Sequence, residues 1–316
     1  MRVVFLGSGA IGVPSLEAVA ARHEIVAVVT QPDRPSGRSL RPSPSPIKLA
    51  ARALGLLTFE PVRIRDMQKE LAAFRADLFL VIAYGQILPK AVLDLPGMGC
   101  INVHASLLPR HRGASPVHAA ILAGDACTGV TTMWMNEGLD TGDLLARVEC
   151  PIGPEETAGE LHDKLAGLAP AVLCSSLDLI AEGMAPRIPQ DPSQATLCGK
   201  LRRADGALDW SLPSEELARR VRGLAPWPGA FTTLPNGSLL KVHRAVAECV
   251  EGAIPGLLMP GDGLLVGCGS GALRLIEVQS PGTRRMGAEE FLRGHPLPSH
   301  LPDGDSPSQP HAIRIH

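Results

Sequence analysis

The feature that most constrains this chain is the alternation, through its first third, of short apolar runs with helix-length segments. Val3 to Leu6 is a continuous apolar run of strand length, Gly7 to Gly12 is a glycine turn, and Pro14 to Arg22 reads as a helix with proline in its first turn. Ile25 to Thr30 is a second strand, completing a strand–helix–strand unit. The pattern continues with a helix over 48–54, a strand over 78–82, a short helix over 90–93 and a strand over 100–104. Such alternation predicts an α/β domain built on a doubly wound, mostly parallel, Rossmann-like sheet. In these sheets the ligand crevice lies at the carboxyl ends of the strands, where Asn102 and His104 fall.

The texture changes at residue 186. PRIPQDPSQATLCGK has Pro-flanked polar stretches and no apolar period, so 186–203 is expected to be a linker after a first domain at 1–185. A helix follows, with Ser214 expected as its N-cap and Glu215 and Glu216 in its positive first turn. Short apolar runs at Val242, 256–259, 264–268 and 273–278, separated by turn signals, predict a smaller OB-like β-barrel domain over 204–300. From Leu301 the chain is rich in Pro, Ser, Asp and His, and 301–316 is expected to be a disordered tail.

Length supports this division, because 316 residues exceed the usual single core. Aromatics are only 3%, so Ala, Val, Leu and Ile must fill the cores. The net charge of -2 excludes a strongly basic protein, yet residues 30–66 hold seven Lys or Arg against three Asp or Glu, and 199–300 hold twelve against ten. That distribution is compatible with local contact to a polyanion. The seven cysteines are odd in number and include no C-x-x-C pair, so neither a zinc site nor a disulfide framework is expected. They read as reduced core thiols of a cytoplasmic protein. The N-terminus has no signal-peptide pattern, and no segment is expected to reach transmembrane length.

Gly7-Ser8-Gly9-Ala10-Ile11-Gly12 satisfies the dinucleotide fingerprint G-x-G-x-x-G. The acid that should end the second strand is missing: Asp33 lies three residues beyond it, in a Pro-rich loop. The glycines are therefore expected to serve a tight strand-to-helix turn.

Two segments carry candidate chemistry. In Gly99 to Gly113, Asn102 and His104 are two apart on a strand and point to one face. An amide and an imidazole at the mouth of a crevice are poor core material, although a lone histidine is more often structural. In Gly129 to Asp143, Asp140 sits between Gly138 and Gly142, which suggests either a backbone shaped to aim a carboxylate or an ordinary Asp-rich turn.

Together, N-x-H-x-S-L-L-P-x-x-R-G and the later G-L-D-x-G-D resemble the folate-dependent formyltransferase family. TQPDRPSGR, VIAYGQILPKAVL, the segment from Ile101 to Met133, and LDWS extend the resemblance in order over roughly residues 1–290. The resemblance implies a formyl transfer from 10-formyltetrahydrofolate to an amine, without a metal. It implies Asn102 as donor to the formyl oxygen, with His104 and Asp140 handling the proton, in one of two ways: Asp140 orients His104, or it holds a water. It also implies a folate pocket bordered by Ser106, Leu107, Leu108 and Pro109.

Family members differ in acceptor. The loop from Gln31 to Lys48, with Arg34, Arg38 and Arg41, resembles the insertion of the branch that formylates initiator methionyl-tRNA. Lys200, Arg202, Arg203, Lys241 and Arg244 are then expected along the RNA backbone. An amino-sugar nucleotide or other small amine is the alternative acceptor. A monomer suits a tRNA enzyme.

Overall fold

A computed structural model describes residues 1–36, 41–234, 236–259, 263–295 and 301. The first domain begins with β1 (Arg2–Gly7), α1 (Val13–Ala20) and β2 (Glu24–Val29), followed by a small hairpin of β3 (Arg34–Ser36) and β4 (Arg41–Ser43). Then come α2 (Pro46–Ala53), β5 (Thr58–Phe59), α3 (Gln68–Ala73), β6 (Leu78–Ile82), α4 (Lys90–Leu93) and β7 (Cys100–His104). The short β8 (Arg112–Gly113) leads to α5 (Pro116–Ala123), β9 (Cys127–Trp134), β10 (Leu144–Pro151) and the long α6 (Ala158–Ala181).

The main sheet has the order β10-β9-β7-β6-β1-β2-β5. The five strands from β7 to β5 pair in parallel, whereas β9 and β10 run antiparallel at one edge. Alternate residues of β1 feed different cores: Val3 and Phe5 pack with residues of α1, α2, α5 and α6, while Val4 and Leu6 pack on the other face with Leu71 and Val92. Strands buried on both faces explain the unbroken apolar runs. In β7, Ile101 and Val103 join the first core and Cys100 the second. Period-two alternation puts Asn102 and His104 on the Cys100 side.

The glycines of the first turn are there for close approach. A Cβ on Gly7 would lie 2.9 Å from the Ile82 carbonyl oxygen, and one on Gly12 would lie 3.3 Å from Ile47 and Ile82 side-chain atoms. Thr30, where a ribose-binding acid would stand, is buried and shares hydrogen bonds with Ser8 and Ser45.

Helix α6 corrects one expectation. At 24 residues it is long and apolar enough to cross a membrane. Here it lines the first core with Leu161, Leu165, Leu173 and Leu177, and a full capping box between Thr157 and Glu160 starts it.

The stretch expected as a linker carries β11 (Leu197–Cys198), which pairs in parallel with β8. Beyond it lie α7 (Ser214–Gly223), β12 (Ala230–Thr233), β13 (Leu239–Glu248), β14 (Leu258–Met259), β15 (Leu264–Gly267), β16 (Ala272–Gln279), β17 (Met286–Gly287) and α8 (Ala288–Gly294). The antiparallel sheet has the order β12-β13-β16-β15-β14, with β17 added on β16. It curls as a half-barrel around Trp210, Leu217, Leu240, Leu273 and Phe291.

Several details depart from expectation. Pro213 is the N-cap of α7, and Ser214, buried inside the first turn, makes no side-chain cap bond. Strand β12 and helix α8 were not read from sequence. Leu301 is fully buried and donates its N–H to the Gly256 oxygen, so it belongs to the core of the half-barrel; 302–316 lie outside the described residues. Cys127 and Cys249 are exposed rather than in the core, while Cys100, Cys150, Cys198 and Cys268 are buried.

Candidate active site

Asn102, His104 and Asp140 meet at the end of β7. Asn102 Nδ2 donates to Asp140 Oδ1 at 3.4 Å, and His104 Nδ1 lies 3.7 Å from Asp140 Oδ2. Asp140 arrives on the β9–β10 turn with φ 51°, in the left-handed region. Non-glycine residues rarely adopt that conformation, and Ala83 and His111 share it at 47° and 56°. Ala83 follows the carboxyl end of β6, and His111 follows the Ser106–Pro109 segment. Gly142, next in the turn but one, has no room for a side chain, because a Cβ would stand 1.7 Å from the Trp134 oxygen.

The hydrogen bonds determine which nitrogen of His104 is open. His104 Nε2 lies 2.9 Å from the His111 carbonyl oxygen, which can only accept. Nε2 therefore carries the proton, and in the neutral ring Nδ1 presents its lone pair toward Asp140. Asp140 Oδ2 already accepts the Gly113 N–H at 2.8 Å. At 3.7 Å the two are beyond hydrogen-bond distance of each other, and an amine nitrogen set beside the pair is within reach of both. All three side chains are largely buried, with Asn102 9% and His104 6% exposed.

The supporting shell comes from three elements. His111 Nε2 meets Asp125 Oδ2 at 2.6 Å, and Arg110 Nη2 donates to Asp125 Oδ1 at 2.6 Å. Burial alone would raise the Asp125 pKa, but the hydrogen bond and charge of His111 and the charge of Arg110 outweigh it and hold the carboxyl below its ordinary range. Gln190, from the stretch between the domains, donates Nε2 to the Asp140 and Gly142 carbonyls at 2.9 and 2.7 Å. Its Oε1 accepts from Arg112 at 2.8 Å. Thr196 Oγ1 accepts the His111 N–H at 2.8 Å. Gly113 closes the motif read from sequence, but His111, Gln190 and Thr196 were not singled out; a polar Gln or Thr in a Pro-rich stretch carries no local signal of what it will touch.

The segment expected to border a folate is partly sealed. Ser106 and Leu108 have no exposed surface: Ser106 Oγ donates to the Arg110 oxygen, and the Leu108 N–H reaches Thr131 Oγ1. Leu107 and Pro109 keep partial exposure, so they and the backbone are what this segment can offer a ligand. The Leu108 side chain is fully buried under the turn. A depression of about 410 Å³ beside Gln86, Ile87 and Pro89 opens at the carboxyl end of β6. A larger one of about 520 Å³ lies among Arg2, Arg22, His23 and Asp77 at the amino ends of the strands, away from Asn102.

The expected RNA contacts are scattered. Arg34 and Arg41 sit on the β3–β4 hairpin, and Arg38 lies outside the described residues. Behind that hairpin, buried Lys48 binds Asp33 at 2.6 Å and Glu60 at 2.7 Å, anchoring the base of the loop. Lys200, Arg202, Arg203 and Lys241 are exposed, and exposed Arg244 pairs with Glu155 of the first domain at 2.8 Å. Among the described residues no cluster of metal-ligating side chains is found.

Comparison with known proteins shows the family. Residues 1–177 match the family model described as formyl transferase, and 200–296 match the formyl transferase C-terminal domain. The chain is 44% identical to a methionyl-tRNA formyltransferase of Pelotomaculum thermopropionicum over 97% of its own length and 99% of the relative. It is 47% identical to one of Stenotrophomonas maltophilia over 92% and 97%. The fold resembles an N-formyltransferase from Helicobacter canadensis, solved with folinic acid and dTDP-3-aminofucose (TM-score 0.67, 14% identity, 87% of this chain and 99% of that one). It also resembles HypX from Aquifex aeolicus in complex with tetrahydrofolic acid (TM-score 0.61, 18% identity), where 92% of this chain spans 47% of the other. Matched by both family models and by relatives of nearly equal length, the chain belongs to the formyl transferase family.

Proposed function

We propose that the chain transfers the formyl group of 10-formyltetrahydrofolate to the amino group of initiator methionyl-tRNA, acting as a cytoplasmic monomer in translation initiation. The observation that carries the chemistry is His104 Nδ1 facing Asp140 Oδ2 at 3.7 Å, with the Asn102 amide alongside. An amine nitrogen seated beside those two atoms donates a hydrogen bond to one or both of them. As its nitrogen bonds to the formyl carbon, negative charge grows on the formyl oxygen and the bond to N10 of the folate breaks. Asn102 Nδ2 has a second N–H for that oxygen, and one such donor contributes roughly 3 kcal/mol to the transition state. The proton lost by the amine passes to the His104–Asp140 pair, directly or through a water, and N10 leaves protonated.

Support for the tRNA acceptor comes from the relatives, named methionyl-tRNA formyltransferases, which are 44% and 47% identical over most of both chains. The exposed Lys200, Arg202, Arg203 and Lys241, with the arginine-bearing hairpin, suit a phosphate backbone. The deciding experiment offers the purified protein 10-formyltetrahydrofolate with initiator methionyl-tRNA and, separately, a dTDP-linked amino sugar. Formylation of the methionyl ester is the expected outcome; turnover of the sugar alone overturns the acceptor, and turnover of neither overturns the activity.

A further inference from the structure

The polar stretch between the two domains does more than connect them. Its residues 188–198 run back over the catalytic loops as a strap. Ile188 bridges to Leu144, Gln190 binds the Asp140 and Gly142 carbonyls, Thr196 accepts the His111 N–H, and Cys198 pairs with Gly113. The fit at Gly113 is close: its φ is 119°, and a Cβ there would stand 2.2 Å from the Cys198 oxygen.

The strap's hydrogen bonds end on the residues that aim the catalytic groups. Gln190 holds the carbonyl of Asp140 itself. Thr196 holds the amide of His111, whose carbonyl sets the proton on His104 Nε2. Gly113, held by the strap at Ala114 N–H and Cys198 O, donates to the Asp140 carboxylate. Both Asp140 and His111 are in left-handed backbone conformations, which an ordinary L-residue leaves at a gain of about 1–2 kcal/mol when nothing holds it.

We infer that Gln190 and Thr196 are positioning residues for formyl transfer: Gln190 fixes the backbone that aims Asp140, and Thr196, through His111, fixes the tautomer of His104. This rests on the catalytic reading of Asn102, His104 and Asp140 given above. The two residues touch no reacting atom. They convert an otherwise relaxed pair of turns into a preorganised acid–base pair, and they do so from a segment that leads directly into exposed Lys200 and Arg202 of the second domain.

The test uses the full chain with 10-formyltetrahydrofolate and initiator methionyl-tRNA, and compares Gln190→Met, Gln190→Glu, Thr196→Val, Thr196→Ser and His104→Asn. Gln190→Met and Gln190→Glu both lose the two donated bonds, and the glutamate keeps the volume and the Arg112 contact. Both are expected to lower kcat about a hundredfold, as for a displacement of roughly 1 Å. KM for either substrate should stay within about threefold, because ground-state binding does not use these bonds. Thr196→Val should move the pH profile of kcat, since Asp140, His111 with Asp125, and Arg112 are the charged groups around His104 whose arrangement it disturbs. Thr196→Ser should restore the profile. Melting temperatures report folding separately. Wild-type kcat and pH profile in folded Gln190→Glu and Thr196→Val, beside an inactive His104→Asn, overturn the inference and leave the catalytic reading intact. A fully active His104→Asn overturns the catalytic reading, and the inference with it.

Discussion

At the scale of single residues, the candidate site is a set of polar groups most of whose hydrogen-bonding atoms already have partners, His104 Nδ1 being the one that faces Asp140 without one in hydrogen-bond range. The His111 carbonyl occupies Nε2 of His104, and the Gly113 N–H and Asn102 amide occupy Asp140, leaving Nδ1 free for an incoming N–H. Asn102→Ala should lower kcat by about 10²–10³-fold. Folate affinity, read by quenching of protein fluorescence, should barely change, because the interaction is made chiefly to the transition state. Loss of binding with kcat preserved would assign Asn102 to substrate affinity instead. A second residue-scale prediction concerns acid stability. The Asp125 carboxyl is depressed from its ordinary 3.8 by His111 and Arg110, against its own burial. Its contribution is therefore fully present above that ordinary value and is lost as pH falls through the depressed one. Melting temperature plotted against pH should fall more steeply in acid for the wild type than for Asp125→Asn; identical slopes would remove this linkage.

At the scale of elements, close backbone approach decides several positions that composition leaves open. Gly129 on β9 is such a point, since a Cβ would stand 2.0 Å from the Val148 oxygen and 2.6 Å from a Leu107 methyl. Gly129→Ala should force β9 and β10 apart and push on the turn that borders the site. Overpacking of this kind costs about 1–3 kcal/mol, so both a lower denaturant midpoint and a slower reaction are expected. An unchanged midpoint would mean the edge yields freely. Helix α6 offers a local contrast: Thr157→Ala removes its capping box and should cost about 1 kcal/mol in stability with kcat intact.

At the scale of the whole molecule, the two domains are joined by the strap and by α7, which lies on α5 so closely that a Cβ on Gly223 would stand 3.0 Å from Ile121. Arg222 donates to the Glu156 oxygen at 3.1 Å, and Arg244 pairs with Glu155 across the same boundary. Exposed pairs of this sort add little stability, about 0–1 kcal/mol, so Arg244 is available to an RNA phosphate at small cost. If the acceptor is tRNA, log KM for it should rise linearly with log salt, and Lys241→Ala should reduce that slope by about one unit while leaving the folate KM alone. A salt-independent KM would remove the second domain from acceptor binding. Arg38→Ala should weaken turnover of tRNA and not folate binding.

Much of this molecule is written locally. Apolar runs in strands buried on both faces, glycine turns and the spacing of Asn102 and His104 are properties of neighbouring residues, so the parallel sheet and the candidate pair on β7 are legible without coordinates. So was the family, because its motifs are contiguous. Less could be read where a residue's role depends on partners far along the chain. Gln190 is some fifty residues from Asp140, Thr196 is 85 from His111, and a hydrogen bond between them leaves no mark in the sequence around either. Strand β12 and helix α8 escaped for a related reason, being short elements held by the sheet they complete. The sequence by itself determined which residues could do chemistry. Which nitrogen of His104 is open, and what holds Asp140 in place, were decided only when distant stretches packed together, since hydrogen-bond direction is a property of positions in space.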